Sequence, residues 1–266
     1  MKIAIIGTGN LGKSIAKGLI TDNAITSLFL TKRNLDGIAE FEGYKNIVLT
    51  TDNQKAIRNS DIIILAVQPA HIEGILKDMS PYLTENHVII STVTGFLIPQ
   101  IEAIIGTDKY IVRAMPNTAI AVGKSMTCLC ANEQGQKRIQ LAKAIFNRLG
   151  HSMSIPEAQM QAATVICASG VAFWMRLIRA TTQAAIQLGF DAKEAQELAM
   201  FTSEGAANLL IVNGKHPEEE IDRVTTPQGC TITGLNEMEH KGLSSSLIQG
   251  MVASFDKINE IKKEQI

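Results

Sequence analysis

The chain has 266 residues, with 25 Lys and Arg against 26 Asp and Glu, and a formal net charge of −1. That balance gives no electrostatic case for nucleic acid or an anionic membrane as the main partner, and it leaves small molecules as the expected ligands. With 45% hydrophobic and 19% charged residues, the chain is a folded protein rather than a disordered one, long enough for one large domain or two modest ones.

KIAII (2–6) is a short apolar run that ends in glycines. It is too short for a secretory h-region, and no A-x-A site follows, so a cytoplasmic location is expected. Leu11, Ile15, Leu19 and Ile20 then recur at helical spacing. SLFL (27–30) is the second strand. Asn53 to Asn59 has a short helical pattern, and DIIILAV (61–67) is an apolar strand that Pro69 breaks. A helix at 70–77 leads to HVIIST (87–92), and a helix at 99–105 leads to KYIVRAM (109–115), which Pro116 stops. SMTCLCA (125–131) and HSMSI (151–155) flank a helix with Ile139, Ala142 and Phe146 in register. Nearly continuous apolar strands alternating with helices predict a parallel sheet covered on both faces, hence a doubly wound α/β domain.

After Pro156 the strand pattern stops. Residues 157–188, 192–212 and 244–263 have helix-forming compositions, with Asp191 and Glu194 as a capping box and Gly189 as a helix stop. The expected organisation is an α/β domain at 1–156 and an all-α domain at 157–266. Residues 158–175 carry no charge, and a core or interface helix explains them better than a membrane span. Residues 162–186, with Phe173 and Trp174, are apolar nearly all round. One small helical domain offers them little cover, so a partner subunit is expected.

GTGNLGKS (7–14) fits two phosphate-binding patterns, the dinucleotide fingerprint G-x-G-x-x-G and the P-loop G-x-x-x-x-G-K-[ST]. A P-loop enzyme needs an acidic residue at the end of an apolar strand to support magnesium. The strands here end as LTKR, LAVQP, ISTVTG and RAMPN, without that acid. The fingerprint fits its context: strand, glycines, then helix, within a βαβ unit of Rossmann type. Gly7 permits the tight turn, Gly9 lets backbone N–H groups approach a pyrophosphate, and Gly12 packs the helix against the strand. Lys13 is then expected to face solvent, and Ser14 to be a small helical residue without chemistry. NAD sites place a carboxylate about 20 residues on, at the end of the second strand. Here Thr31 leads into Lys32 and Arg33, which suit a 2′-phosphate, so NADPH is the expected coenzyme, with NADH possible. The four cysteines, Cys128, Cys130, Cys167 and Cys230, have no metal-site spacing and are expected to be small buried side chains; the five histidines are scattered, and no metal site is expected.

Together with GTGNLG, the segments AVQP (66–69), RAMPNTAIAVG (113–123) and VTTPQGCTITGLNEME (224–239) resemble pyrroline-5-carboxylate reductase. The resemblance runs nearly the whole chain, in order. It implies reduction of the C=N bond of 1-pyrroline-5-carboxylate to L-proline, the last step of proline biosynthesis, with hydride from NADPH or NADH. It implies helical domains paired as homodimers, in many members assembled into rings of dimers. By residue, it implies that Gly7, Thr8, Gly9, Asn10, Leu11 and Gly12 cradle the pyrophosphate. Thr31, Lys32, Arg33 and Asn53 would meet the adenosine end. Ala66, Val67 and Gln68 would pass the nicotinamide ribose, and Met115 and Asn117 would border the reacting centre. Gly229, Cys230 and Thr231 would offer N–H groups to the substrate carboxylate, and the Thr231 hydroxyl would reach the ring nitrogen.

The chain departs from that pattern at Gln68 in place of lysine, Ala119 in place of proline and Gln228 in place of glycine. Cys167, Ala168, Val171 and Phe173 stand where Ser, Gly, Pro and Tyr are usual. These departures leave two alternatives: a relative acting on another imine or carbonyl, and a dinucleotide-binding sensor without activity.

Overall fold

The computed structural model describes residues 1–20 and 22–264, and it divides into two compact units, 1–168 and 169–263. In the first unit, the strands are β1 (Lys2–Ile6), β2 (Ser27–Thr31), β3 (Ile47–Thr50), β4 (Ile62–Leu65), β5 (Val88–Ser91), β6 (Tyr110–Met115), β7 (Ser125–Ala131) and β8 (Gly150–Ser154). Its helices are α1 (Asn10–Leu19), α2 (Asn53–Arg58), α3 (Pro69–Met79), α4 (Ile98–Ile105), α5 (Glu133–Gln136), α6 (Ile139–Phe146) and α7 (Met160–Ala163). One sheet holds all eight strands in the order β3-β2-β1-β4-β5-β6-β7-β8. Strands β1 to β6 are parallel, in the 3-2-1-4-5-6 order of doubly wound dinucleotide-binding domains.

The apolar runs become strands buried on both faces because successive side chains alternate sides. Ile3, Ile5, Leu28, Leu30, Ile62 and Ile64 pack with Ile15 and Leu19 of α1 and with Phe146 of α6. Ala4, Ile6, Phe29, Ile63 and Leu65 pack the other way, with Ile72 and Leu76 of α3 and Ile101 of α4. Each fully buried isoleucine contributes about 2 kcal/mol through the apolar area it removes from water.

The expectation of a wholly parallel sheet is corrected at β7, which pairs antiparallel with β6, Met115 opposite Cys128. Residues 116–124 are too few for a crossover, which takes a dozen or more. Pro116 has no N–H to extend β6. Asn117 caps a 3-10 turn at Thr118–Val122, accepting from the Ala119 N–H at 2.9 Å, and Gly123 closes it at φ 67°. Residues Ile47–Thr50 carry no periodicity strong enough to mark β3 in the sequence.

Residues 157–168 follow the helical composition of the second half but pack in the first unit: Met160 and Ala163 join the β-sheet core, and Glu157 accepts from Arg113 and from the Ile98 N–H, each at 2.8 Å. A π-helical turn at Thr164–Ser169 interrupts the single helix expected over 157–188.

The second unit is all-α: α8 (Gly170–Gln187), α9 (Ala192–Asn213), α10 (Pro217–Val224), α11 (Cys230–His240) and α12 (Leu243–Glu264). Asp191 caps α9 as expected, accepting from the Lys193 and Glu194 N–H groups, and Gly189 follows α8 at φ 107°. Helices α10 and α11 have no counterpart in the predicted elements. Few side chains in this unit are covered: among the described residues, only Gly170 and Thr182 of α8 and Ala195 and Ala199 of α9 are buried.

Candidate active site

Between β1 and α1 the chain turns sharply at Gly7, φ +90°. A Cβ there would meet Val67 and the Ala66 carbonyl, and one at Gly12 would stand 2.7 Å from the Gly7 carbonyl. Both positions therefore require glycine. Thr31, the last residue of β2, clasps the turn twice. Its carbonyl accepts from the Thr8 N–H at 2.8 Å, and its hydroxyl accepts from the Gly7 N–H at 3.3 Å. Gly9 is the residue before α1, in extended conformation, and supplies no side-chain cap. The first-turn N–H groups of Asn10, Leu11 and Gly12 thus face outward with the positive end of the helix dipole behind them.

A cavity of about 770 Å³ opens over this turn. Gly7, Thr8, Gly9, Thr31, Lys32, Arg33, Asn53, Ala66, Val67 and Gln68 all line it. Ten of the thirteen residues expected at the cofactor therefore surround one space, and the other three, Asn10, Leu11 and Gly12, form the helix turn beside it. The pocket fits a dinucleotide on two observations. The Thr8 hydroxyl is buried without a partner, and a Cβ at Gly9 would meet nothing within 4 Å, so open space faces the uncapped helix end.

His71, Gly74, Ile75 and Asp78 also line the cavity, and none of them belongs to a recognisable motif. Their spacing was the available signal. They form one face of α3, set against the buried stripe Ile72, Leu76 and Met79.

Lys13 is corrected: it is half-buried rather than solvent-facing, and it bridges to Glu40 at 2.9 Å. Lys17 reaches the same carboxylate at 2.7 Å. Hydrogen bonds from Lys17 and then Lys13 hold the Glu40 carboxyl down at about 2, so this bridge is intact above the ordinary carboxylate range and is lost as pH falls toward 2. Ser14 bonds only back to the Asn10 carbonyl at 3.0 Å.

Met115 and Asn117 lie at the end of β6, both buried, and neither lines the cavity. The Asn117 amide is engaged on both sides, with Nδ2 donating to the Cys167 carbonyl at 2.9 Å and Oδ1 capping the following turn. Gly229, Cys230 and Thr231 belong to the second unit, where Gly229 precedes α11 and again provides no side-chain cap. The Gly229 N–H already donates to the Thr226 carbonyl at 2.9 Å, so the first-turn groups that remain are those of Cys230, Thr231 and Ile232. Gln228 occupies the left-handed region at φ 58°. Cys128 and Cys130 are buried as expected, whereas Cys167 is only half-buried and Cys230 is exposed. Among the described residues no group of three or more His, Cys, Asp or Glu could hold a metal ion.

A doubly wound sheet that turns its first strand into an uncapped helix over a deep cleft is the framework of nicotinamide-dependent oxidoreductases. The first unit carries that class in its sequence as well: residues 2–95 match the family described as NADP oxidoreductase, coenzyme F420-dependent. Residues 157–261 match pyrroline-5-carboxylate reductase dimerisation. Pyrroline-5-carboxylate reductase 2 of Dictyostelium discoideum is 41% identical, the match covering 96% of this chain and 91% of that protein. Pyrroline-5-carboxylate reductase 1 of the same organism is 46% identical over 96% of this chain, which spans about half, 49%, of that longer relative. The solved structure of a pyrroline-5-carboxylate reductase from Coxiella burnetii superposes with a TM-score of 0.91 at 30% identity, covering 97% of each chain. The chain belongs to the pyrroline-5-carboxylate reductase family.

Proposed function

We propose that this protein reduces the C=N bond of 1-pyrroline-5-carboxylate to give L-proline, with NADPH as hydride donor, as a cytoplasmic homodimer or ring of dimers. The observation that carries this reading is the match of 96% of this chain, through both units, to a protein named pyrroline-5-carboxylate reductase, 41% identical over 91% of that protein.

The bound coenzyme supplies a hydride for the imine carbon. The chain's part is to bind and align the two reactants and to offer a hydrogen bond to the ring nitrogen as its lone pair returns. The uncapped first turn of α1 and the Thr8 hydroxyl receive the pyrophosphate, Lys32 and Arg33 the 2′-phosphate, and Asn53 the adenosine side. Ala66, Val67 and Gln68 border the nicotinamide ribose. Gln68 brings no charge to that wall, so binding there relies on shape and amide hydrogen bonds.

A protonated cyclic imine is already electrophilic, so alignment contributes more than acid strength. The Cys230 and Thr231 N–H groups at the start of α11 hold the substrate carboxylate, with Gly229 shaping the turn beneath them. Met115 and the fully bonded Asn117 form a rigid border rather than a mobile ligand. The Thr231 hydroxyl donates to the ring nitrogen as hydride arrives at carbon.

Oxidation of NADPH followed at the nicotinamide band, with 1-pyrroline-5-carboxylate as substrate, tests the reading. Turnover to proline is expected, and its absence with both NADPH and NADH overturns the proposal. Thr231→Ala is expected to lower kcat by about 100-fold while Thr231→Ser retains most of it. Unchanged turnover in the alanine variant removes the hydroxyl from the mechanism.

A further inference from the structure

Cys128 and Cys167 are 39 positions apart in the chain, yet their sulfurs face each other at 3.9 Å. Cys128 is fixed on β7 inside the sheet, 3% exposed. Cys167 lies in the π-helical turn at 164–169 and is half-buried, within reach of small solutes. We propose that these two thiols are an oxidant-responsive pair, which a hydroperoxide closes to an intramolecular disulfide and a small thiol reopens.

The geometry divides the labour. Cys167 is the accessible member and meets the oxidant. Cys128 is shielded and can react only with what Cys167 becomes. Their contact sets the charges in the same sense, since a hydrogen bond from the Cys128 thiol holds Cys167 down at about 7, and Cys167 in turn pushes Cys128 up. In the first step, the Cys167 thiolate attacks one peroxide oxygen, and the O–O bond breaks. Sulfur is oxidised to sulfenic acid, and hydroxide or an alkoxide leaves and takes up a proton. In the second step, Cys128 loses its proton and attacks the Cys167 sulfur, the S–O bond breaks, and water leaves.

An S–S bond needs about 2.05 Å, so one sulfur has to move by roughly 2 Å. The β7 backbone is held on both edges by β6 and β8, whereas a π-helical turn is a loosened stretch of helix, so the movement belongs to Cys167. Cys130 is an internal control. It is equally buried on the same face of β7, burial pushes its thiol up to about 11, and its surroundings are Arg113 and Glu157 rather than a second sulfur. Asn117 links the pair to the rest of the unit, because its amide donates to the Cys167 carbonyl at 2.9 Å. Only an effect on turnover rests on the function proposed above; bond formation does not.

The test uses the full-length protein, treated with hydrogen peroxide, alkylated and digested without reductant for mass mapping. The expected product is a Cys128–Cys167 cross-linked peptide, lighter by two hydrogens than the sum of its parts and abolished by dithiothreitol, with Cys130 recovered alkylated. In Cys128→Ala, Cys167 is expected to stop at sulfenic acid and take up dimedone, which the wild type does not. The half-point for Cys167 alkylation is expected below the ordinary thiol range in the wild type and to move up toward that range in that variant. Peroxide that carries Cys167 to sulfinic acid without a cross-link, or joins it to Cys130 or Cys230 instead, overturns the proposal. If Cys128→Ala fails to fold, the wild-type peptide map decides alone.

Discussion

Lys32 and Arg33 are adjacent, but the structure treats them differently. The Lys32 ammonium donates to the Gly37 carbonyl at 3.3 Å and is half-buried, whereas Arg33 is exposed at the cavity mouth. Arg33 is thus the freer cation for a phosphate. A charge-assisted bond contributes about 1.5–3 kcal/mol. Arg33→Ala is expected to weaken NADPH binding about tenfold or more and to leave NADH binding nearly unchanged, read by titrating nicotinamide fluorescence. Gln228 is a second residue-scale case. It is the only described non-glycine residue at positive φ, where an L side chain costs about 1–2 kcal/mol. Gln228→Gly removes that strain and loosens the unfolded chain by about 0.4–1 kcal/mol, so a net gain of up to about 1.6 kcal/mol is expected in thermal unfolding. Residues of this kind are what sequence discloses best. The turn at Gly7 demands glycine by its φ, and the residue type records the demand. The closeness of Cys128 and Cys167 is recorded nowhere in the sequence, because it depends on a turn between units of different composition.

Elements were legible where burial was one-sided or complete. The stripe of α1 and the apolar runs of β1, β4 and β5 follow directly from where water is excluded. Direction was not legible: β7 is as apolar as its neighbours, and only the short 116–124 connection decides that it runs backward. Helix α10, with sequence PEEEIDRV, buries no residue and spans only eight, so Ile221 and Val224 on one face are too few to mark it, and α11 was hidden by its glycine and threonines. The glycine-capped starts of α1 and α11 share a design in which no side chain competes for the first-turn N–H groups. Gly9→Ser tests this in α1. The position is extended and has room for a Cβ, so folding stability is expected to change by less than about 0.5 kcal/mol. The new hydroxyl would take an N–H that the pyrophosphate needs, and the NADPH dissociation constant is expected to rise about tenfold in calorimetric titration. Equal loss of stability and affinity would mean that the residue acts only through the fold.

At the scale of the molecule, the two units differ in how they are stabilised. The first has a core on each face of its sheet. The second leaves Trp174 61%, Phe201 67%, Leu188 81% and Val212 80% exposed in a single copy. The helical stretch Glu157–Gln187 is long and apolar enough to cross a membrane by length and composition, with 22% of its most apolar window buried. Residues 157–261 match a dimerisation family, and we infer that these apolar faces meet a second copy of the chain. Mass action follows from that sparse cover. A helical unit that completes its core with a second copy owes its stability to how many copies are present. Each tenfold dilution then withdraws about 1.4 kcal/mol per dimer from the folded state. The melting temperature of the helical unit is expected to fall on serial dilution in scanning fluorimetry, and a concentration-independent melt would count against it. For such a molecule, the number of copies in the cell is itself a structural parameter.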